Sequence, residues 1–234
     1  LVFGLAQGFC VAYLKIQPFI VTMAGMFFAR GMTAVLCTDQ VSIVSDPLFA
    51  KLSGTKINIP FGGYVNKKGV FQVPYIRASV VVALLIVVLI FLMLRYTRFG
   101  RSLYAVGGNQ QSAALMGLNV KSVTMRAYVL NSFLTSIGGI CYCLNTMCGT
   151  TQQASGMEMD AISSSVIGGT LLTGGVGNVI GSLFGVLING TISSLVKTNG
   201  KLISSWANII TAILLCFFIV LQAVFAKVKE AKKA

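Results

Sequence analysis

The chain has 234 residues, 56% of them apolar and only 10% charged, with 18 lysines and arginines against five acids and no histidine. Soluble domains carry about 25% charged residues, so this composition excludes an ordinary water-exposed globule and makes the lipid bilayer an expected partner. The +13 charge lies between apolar segments, as topology determinants do, and no stacking platform or groove-reading motif accompanies it, so nucleic acid is not an expected partner.

Read in chain order, about seven apolar segments appear, at 1–14, 18–37, 78–94, 127–147, 161–173, 178–196 and 203–226. They predict an all-α fold, a polytopic transmembrane helical bundle. The chain opens at Leu1 inside an apolar stretch, without an initiator Met or a signal peptide, and is expected to be incomplete at its N-terminal side. The clearest span is Ser79 to Leu94, which holds no charge and is bracketed by Arg77 and Arg95. As a helix it reaches about 25 Å, close to the hydrocarbon thickness of a bilayer.

After that span the chain is basic without a single acid, from Arg95 through Arg98, Arg101 and Lys121 to Arg126. The positive-inside tendency assigns this stretch, 95–126, and the tail 227–234 with Lys227, Lys229, Lys232 and Lys233 to the cytoplasm. Both ends fall on one side only if the short segment 161–173 also crosses. Counting backwards puts Lys15 inside and 38–77 outside, although that loop is itself basic, with Lys51, Lys56, Lys67, Lys68 and Arg77 against Asp39 and Asp46. Its Asp46-Pro47, Ser53-Gly54, Ile59-Pro60 and Gly62-Gly63 pairs read as turns with at most a short surface helix. Residues 148–160 and 197–202 are the remaining external pieces.

Gly177, Gly181 and Gly185 recur on one face of 178–196, a spacing that lets helix backbones approach closely in lipid. Gly4, Gly8 and Ala12 repeat the device, as do Gly25, Ala29 and Thr33. Gly168-Gly169-Thr170 and Gly174-Gly175-Val176-Gly177 surround the short crossing, and glycine-rich breaks at membrane depth often line a substrate path. Arg30 lies deep in the second segment, where it either pairs with Glu158 or Asp160 or snorkels to the outer surface. Asn131 and Thr135 share a helix face, which suits hydrogen bonding to a neutral polyhydroxyl solute and serves helix–helix bonding equally well. The candidate pathway residues are thus Arg30, Asn131, Thr135, Asp160, Gly168, Gly169 and Thr170.

Other features carry little chemistry. The six cysteines fit neither a zinc site nor a redox pair and read as apolar filler. Asn189-Gly190-Thr191 matches a glycosylation acceptor but falls within a predicted span. Lone Trp206 reads as an interfacial anchor. No phosphate-binding loop or dinucleotide fingerprint is present, so this chain itself is expected to bind no cofactor.

The stretch Thr97-Arg98-Phe99-Gly100-Arg101-Ser102-Leu103-Tyr104-Ala105-Val106-Gly107-Gly108-Asn109, followed by Gly117-Leu118-Asn119-Val120, resembles the permease subunits of ribose/galactose-type ABC sugar importers. Tyr13-Leu14-Lys15-Ile16-Gln17-Pro18-Phe19-Ile20-Val21-Thr22 agrees, as does Met159-Asp160-Ala161-Ile162 running into the two glycine clusters. Within that family, Ala24 to Gly31 and Ile167 to Gly177 look most like the galactofuranose-type permease. Two departures stand out. Gln110-Gln111-Ser112 replaces the Glu-Ala-Ala of many relatives, which removes an acidic contact. Family members also have about ten spans of about 20 residues each, so roughly the first three are expected to be missing.

The resemblance implies one permease domain over 1–234, with 95–126 as the loop that touches a cytoplasmic ATPase. It implies three protein partners: the ATPase, which holds the ATP and magnesium, a second permease chain (identical or different), and an external sugar-binding protein. Arg98, Gly100, Arg101, Gly107, Gly108, Asn109 and Gly117 are the implied ATPase-coupling residues. The implied activity is inward movement of a neutral monosaccharide by alternating access, in a bacterial cytoplasmic membrane. A secondary sugar transporter would require an acid central in a span, and none is predicted. A membrane-embedded enzyme would require convergent catalytic groups, which the missing histidines and few carboxylates oppose. A non-transporting assembly subunit is the third alternative.

Overall fold

The computed structural model describes residues 1–43, 47–58, 64–65, 71–72, 75–198 and 205–231. In chain order the helices are α1 (Val2–Ala12), α2 (Pro18–Leu36), α3 (Pro47–Gly54), α4 (Ala78–Tyr96), α5 (Arg98–Gly108), α6 (Gln110–Leu115), α7 (Val120–Thr146), α8 (Met157–Ile167), α9 (Val179–Thr198) and α10 (Ser205–Ala231). Short strands β1 (Val41–Ser42), β2 (Lys56–Asn58), β3 (Tyr64–Val65), β4 (Phe71–Gln72), β5 (Tyr75–Arg77) and β6 (Cys148–Gly149) pair antiparallel as β1–β6, β2–β5 and β3–β4.

Helix occurs in each of the places where an apolar segment is predicted, but the boundaries and lengths differ. Among the described residues four helices are long and apolar enough to cross a membrane: α2, α4, α7 and the Val179–Val196 part of α9. Helix α1 is shorter, with 11 residues, and α10 extends over 27, so length and composition give four spans among the described residues and do not confirm a count of seven. Helix α7 starts at Val120, where the Asn119 side chain accepts from the Ser122 amide, so Lys121 and Arg126 belong to a helix and not to the preceding loop. The segment expected at 161–173 is helical over Met157–Ile167 and no further, because Gly169 after the cap turns into the left-handed region (φ +88°). Between α2 and α4 the expected short helix is α3, and strand pairs join it. Ile59-Pro60 and Gly62-Gly63 lie outside the described residues, as do Gly200, Lys201 and the last three residues.

The chain forms two compact units, residues 1–89 with 119–153 and residues 90–118 with 154–234. In the first, Gly4, Gly8 and Ala12 are the buried positions of α1, and they face α7. A β-carbon added at Gly8 would sit 2.9 Å from Met125 Sδ, and one at Gly4 2.6 Å from Ser132 Cβ. Both glycines allow the two helices to lie in close contact. Gly25 of α2 faces Phe3 and Gln7 of α1, whereas Ala29 and Thr33 are exposed. The Arg77 guanidinium donates to Asn145 Oδ1 and, with the β1–β6 pair, fastens the 38–77 segment to the end of α7.

The second unit is built on α8, α9 and α10. Helices α8 and α9 run antiparallel with their backbones nearly touching: a β-carbon on Gly168 would lie 2.5 Å from the Gly181 carbonyl carbon, and one on Gly185 2.9 Å from that of Ser164. Gly177 precedes α9 and lies outside this packing face, in contrast to the predicted three-glycine stripe.

Candidate functional site

The basic stretch after α4 is helical and closely ordered by three polar caps. Thr97 adopts an extended backbone (φ −91°, ψ 158°), which ends α4, and its hydroxyl accepts from the Gly100 amide to begin α5. Gly100 then passes so close to Leu94 that an added β-carbon would lie 2.5 Å from the Leu94 Cα. Asn109 ends α5 and starts α6 by accepting from the Ser112 amide at 2.9 Å. Gly117 turns the chain with φ +81°, and Asn119 starts α7. Asn109 and Gly117 therefore have defined structural work within the segment.

Arg98 and Arg101 are exposed on α5, and Arg101 Nη1 donates to the Tyr96 carbonyl at 3.4 Å. Gly107 and Gly108 face the glycine break between α8 and α9. A β-carbon on Gly107 would lie 2.9 Å from the Gly175 nitrogen, and one on Gly175 2.6 Å from the Gly108 Cα. Beside this contact the Tyr104 hydroxyl donates to the Gly177 carbonyl at 3.1 Å. The break is itself a compact turn, in which the Leu171 amide donates to the Val176 carbonyl and the Gly174 amide to the Leu171 carbonyl, both at 3.1 Å. Gly174 (φ +92°) and Gly175 (φ +76°) occupy the left-handed region, where a side chain is strained. Leu94, Tyr104, Thr170 and Val176 line a cavity of about 310 Å³ beside the turn.

Exposed apolar side chains at the end of α6 went unnoticed in the sequence: Leu115 is 89% and Met116 67% exposed. Their signal was available, an apolar pair directly before the turning Gly117 in an otherwise polar segment.

A buried polar hub joins α8, α9 and α10, and sequence reasoning missed it. Asn189 Nδ2 donates to the hydroxyls of Ser163 and Ser164, each at 3.3 Å, and to the Asp160 carbonyl at 3.4 Å. Its Oδ1 accepts from the Thr211 hydroxyl at 3.1 Å. All four side chains are buried. The signal was an asparagine in one apolar helix and paired serines in another, both costly in lipid unless they meet.

The candidate pathway residues divide between the units. Arg30, Asn131 and Thr135 belong to the first, and the Thr135 hydroxyl donates to the Asn131 carbonyl at 2.8 Å within α7. Asp160, Gly168, Gly169 and Thr170 belong to the second, where Thr170 and Ser182 hydroxyls lie 3.5 Å apart. Among the described residues no cluster of three or more His, Cys, Asp or Glu side chains could hold a metal ion.

Apolar spans interrupted by a capped amphipathic segment define a multi-pass helical membrane protein. A family profile described as "Branched-chain amino acid transport system / permease component" matches residues 1–220, and the chain belongs to that permease family. Its relatives include the inner membrane ABC transporter permease protein YjfF of Escherichia coli K12, 42% identical over 220 residues that make up 94% of this chain and 63% of the relative. The fructose import permease protein FruG of Bifidobacterium longum is 34% identical over 232 residues, 99% of this chain and 66% of the relative. The ribose import permease protein RbsC of Bacillus subtilis is 34% identical over 191 residues, 80% of this chain and 54% of the relative. The chain thus spans just under two thirds of the length of the first two relatives. No solved structure matches it.

Proposed function

We propose that this chain is part of the permease subunit of an ATP-binding-cassette importer that moves a neutral monosaccharide into the cytoplasm. The observation that carries this reading is family membership over residues 1–220 together with relatives whose names specify fructose and ribose import. ATP hydrolysis belongs in this reading to a separate ATPase subunit. A second permease chain and an external sugar-binding protein complete the assembly. The sugar within the class is galactofuranose or a similar simple sugar, a choice supported by the sequence around Ala24 to Gly31 and Ile167 to Gly177.

Residues 95–126 face the cytoplasm in this reading, as does the C-terminus, while 38–77 face outward. The packing of α5 on the glycine break supports this arrangement, since it brings the C-terminal end of α8 to the side of the membrane where α5 lies. Arg98, Gly100, Arg101, Gly107, Gly108, Asn109 and Gly117 shape the ATPase-facing segment. Arg30, Asn131, Thr135, Asp160, Gly168, Gly169 and Thr170 contribute to the sugar path, while Gly181 and Gly185 hold α9 against α8. Uptake of a panel of labelled sugars by cells with and without the intact gene tests the function. Loss of uptake of one simple sugar, restored by the gene, is expected; unchanged uptake of every simple sugar would sink it.

A further inference from the structure

We infer that α5 and the turn between α8 and α9 move as one body, joined by the Tyr104 hydroxyl and by the contact of Gly107–Gly108 with Gly174–Gly175. The inference rests on the importer reading, because it assigns Tyr104 a positioning role in passing ATPase motion to the helices that follow.

Three features of the same joint carry it. The Tyr104 hydrogen bond ends on a backbone carbonyl at residue 177, two residues before α9 begins, so it grips the main chain and not a mobile side chain. The glycine contact is backbone against backbone, and a methyl on Gly107 would meet the Gly175 nitrogen at 2.9 Å. Contacts of that kind transmit displacement with little slack, because no rotamer change can absorb it. The cavity of about 310 Å³ lined by Tyr104, Thr170 and Val176 lies directly beside the joint. Space on one side and rigid contact on the other let the turn swing with α5.

The turn is continuous with both helices it connects. Gly168, at the end of α8, packs on Gly181 of α9, and the Asn189 hub joins both to α10. A push on α5 therefore reaches α8, α9 and α10 through main-chain contacts and buried hydrogen bonds. Tyr104 is the side chain that holds the first of these links together.

Two measurements test this. Hydrogen exchange on the purified protein should be faster over residues 171–178 in Tyr104→Phe by about fivefold, the factor corresponding to one net hydrogen bond. Unchanged exchange there would overturn the tie itself. In proteoliposomes carrying the whole transporter, Tyr104→Phe should retain ATP hydrolysis within about twofold while sugar moved per ATP falls by at least about threefold, and Gly107→Ala should lower that ratio further. The double variant should be no worse than Gly107→Ala alone, since both act through one joint. A wild-type ratio in Tyr104→Phe, or a proportional loss of hydrolysis and uptake, would overturn the positioning role. Absence of ATP-driven uptake by the wild-type complex would instead overturn the importer reading, and the role with it.

Discussion

Asn189 shows how one buried amide organises three helices. Both ends of its buried side chain are engaged, the nitrogen with α8 and the oxygen with α10. In Asn189→Ala the Thr211 hydroxyl loses its acceptor while Ser163 and Ser164 keep theirs, the Asp160 carbonyl. The variant should lose about 1–2 kcal/mol, measured as a lower unfolding midpoint in detergent. In the sequence Asn189 was visible only as a glycosylation acceptor inside a predicted span. Its partners lie 22 to 26 positions away (Thr211, Ser164 and Ser163), and no local pattern encodes such a meeting. Glycine at 181 and 185 was easier to read, because its spacing along a helix is local even though its contacts are not.

Among the elements, the apolar helices and the short α3 were legible, and the two helices of the basic stretch were not. Helix α4 declares itself through an unbroken run of aliphatic residues between two arginines. Helix α5 carries glycines at 100, 107 and 108, which lower helix propensity, α6 is only six residues long, and both depend on caps and packing instead. Strands β1 and β6 are two residues each, and their pairing across more than a hundred positions leaves no periodicity to detect. On α5 the exposed arginines offer charge, whereas Leu115 and Met116 after it offer apolar surface. Reversing both charges, Arg98→Glu with Arg101→Glu, should cut sugar uptake by at least about tenfold while leaving membrane insertion intact, a loss of a few charge-assisted contacts. Wild-type uptake in that double variant, together with a similar loss in Leu115→Ser, would move the docking surface from the arginines to the apolar pair.

For the whole molecule, sidedness is the property on which the proposed mechanism depends. A thiol-specific reagent that cannot cross the membrane, used on a protein with Gly108→Cys as its sole reactive thiol, should label it only in inside-out vesicles. Labelling from the exterior would reverse the orientation drawn from the basic stretch and separate the α5 segment from any cytoplasmic ATPase. The overall class, a bundle of membrane-crossing helices, was legible because composition alone imposes it. Exact crossings were less so, since helix ends are set by capping and by close backbone packing.

Within the first unit two helices differ greatly in length. Helix α2, with 19 residues, extends about 28 Å, and α7, with 27, about 40 Å. A hydrocarbon layer of about 30 Å matches the shorter one and leaves the longer to lean or protrude. Lipids with longer acyl chains would relieve the second and strain the first. Reconstitution in lipids of graded chain length, read by the tilt of α7, should show whether its extra length leans within the layer or, with residues 120–126 on the cytoplasmic side, stands beyond it.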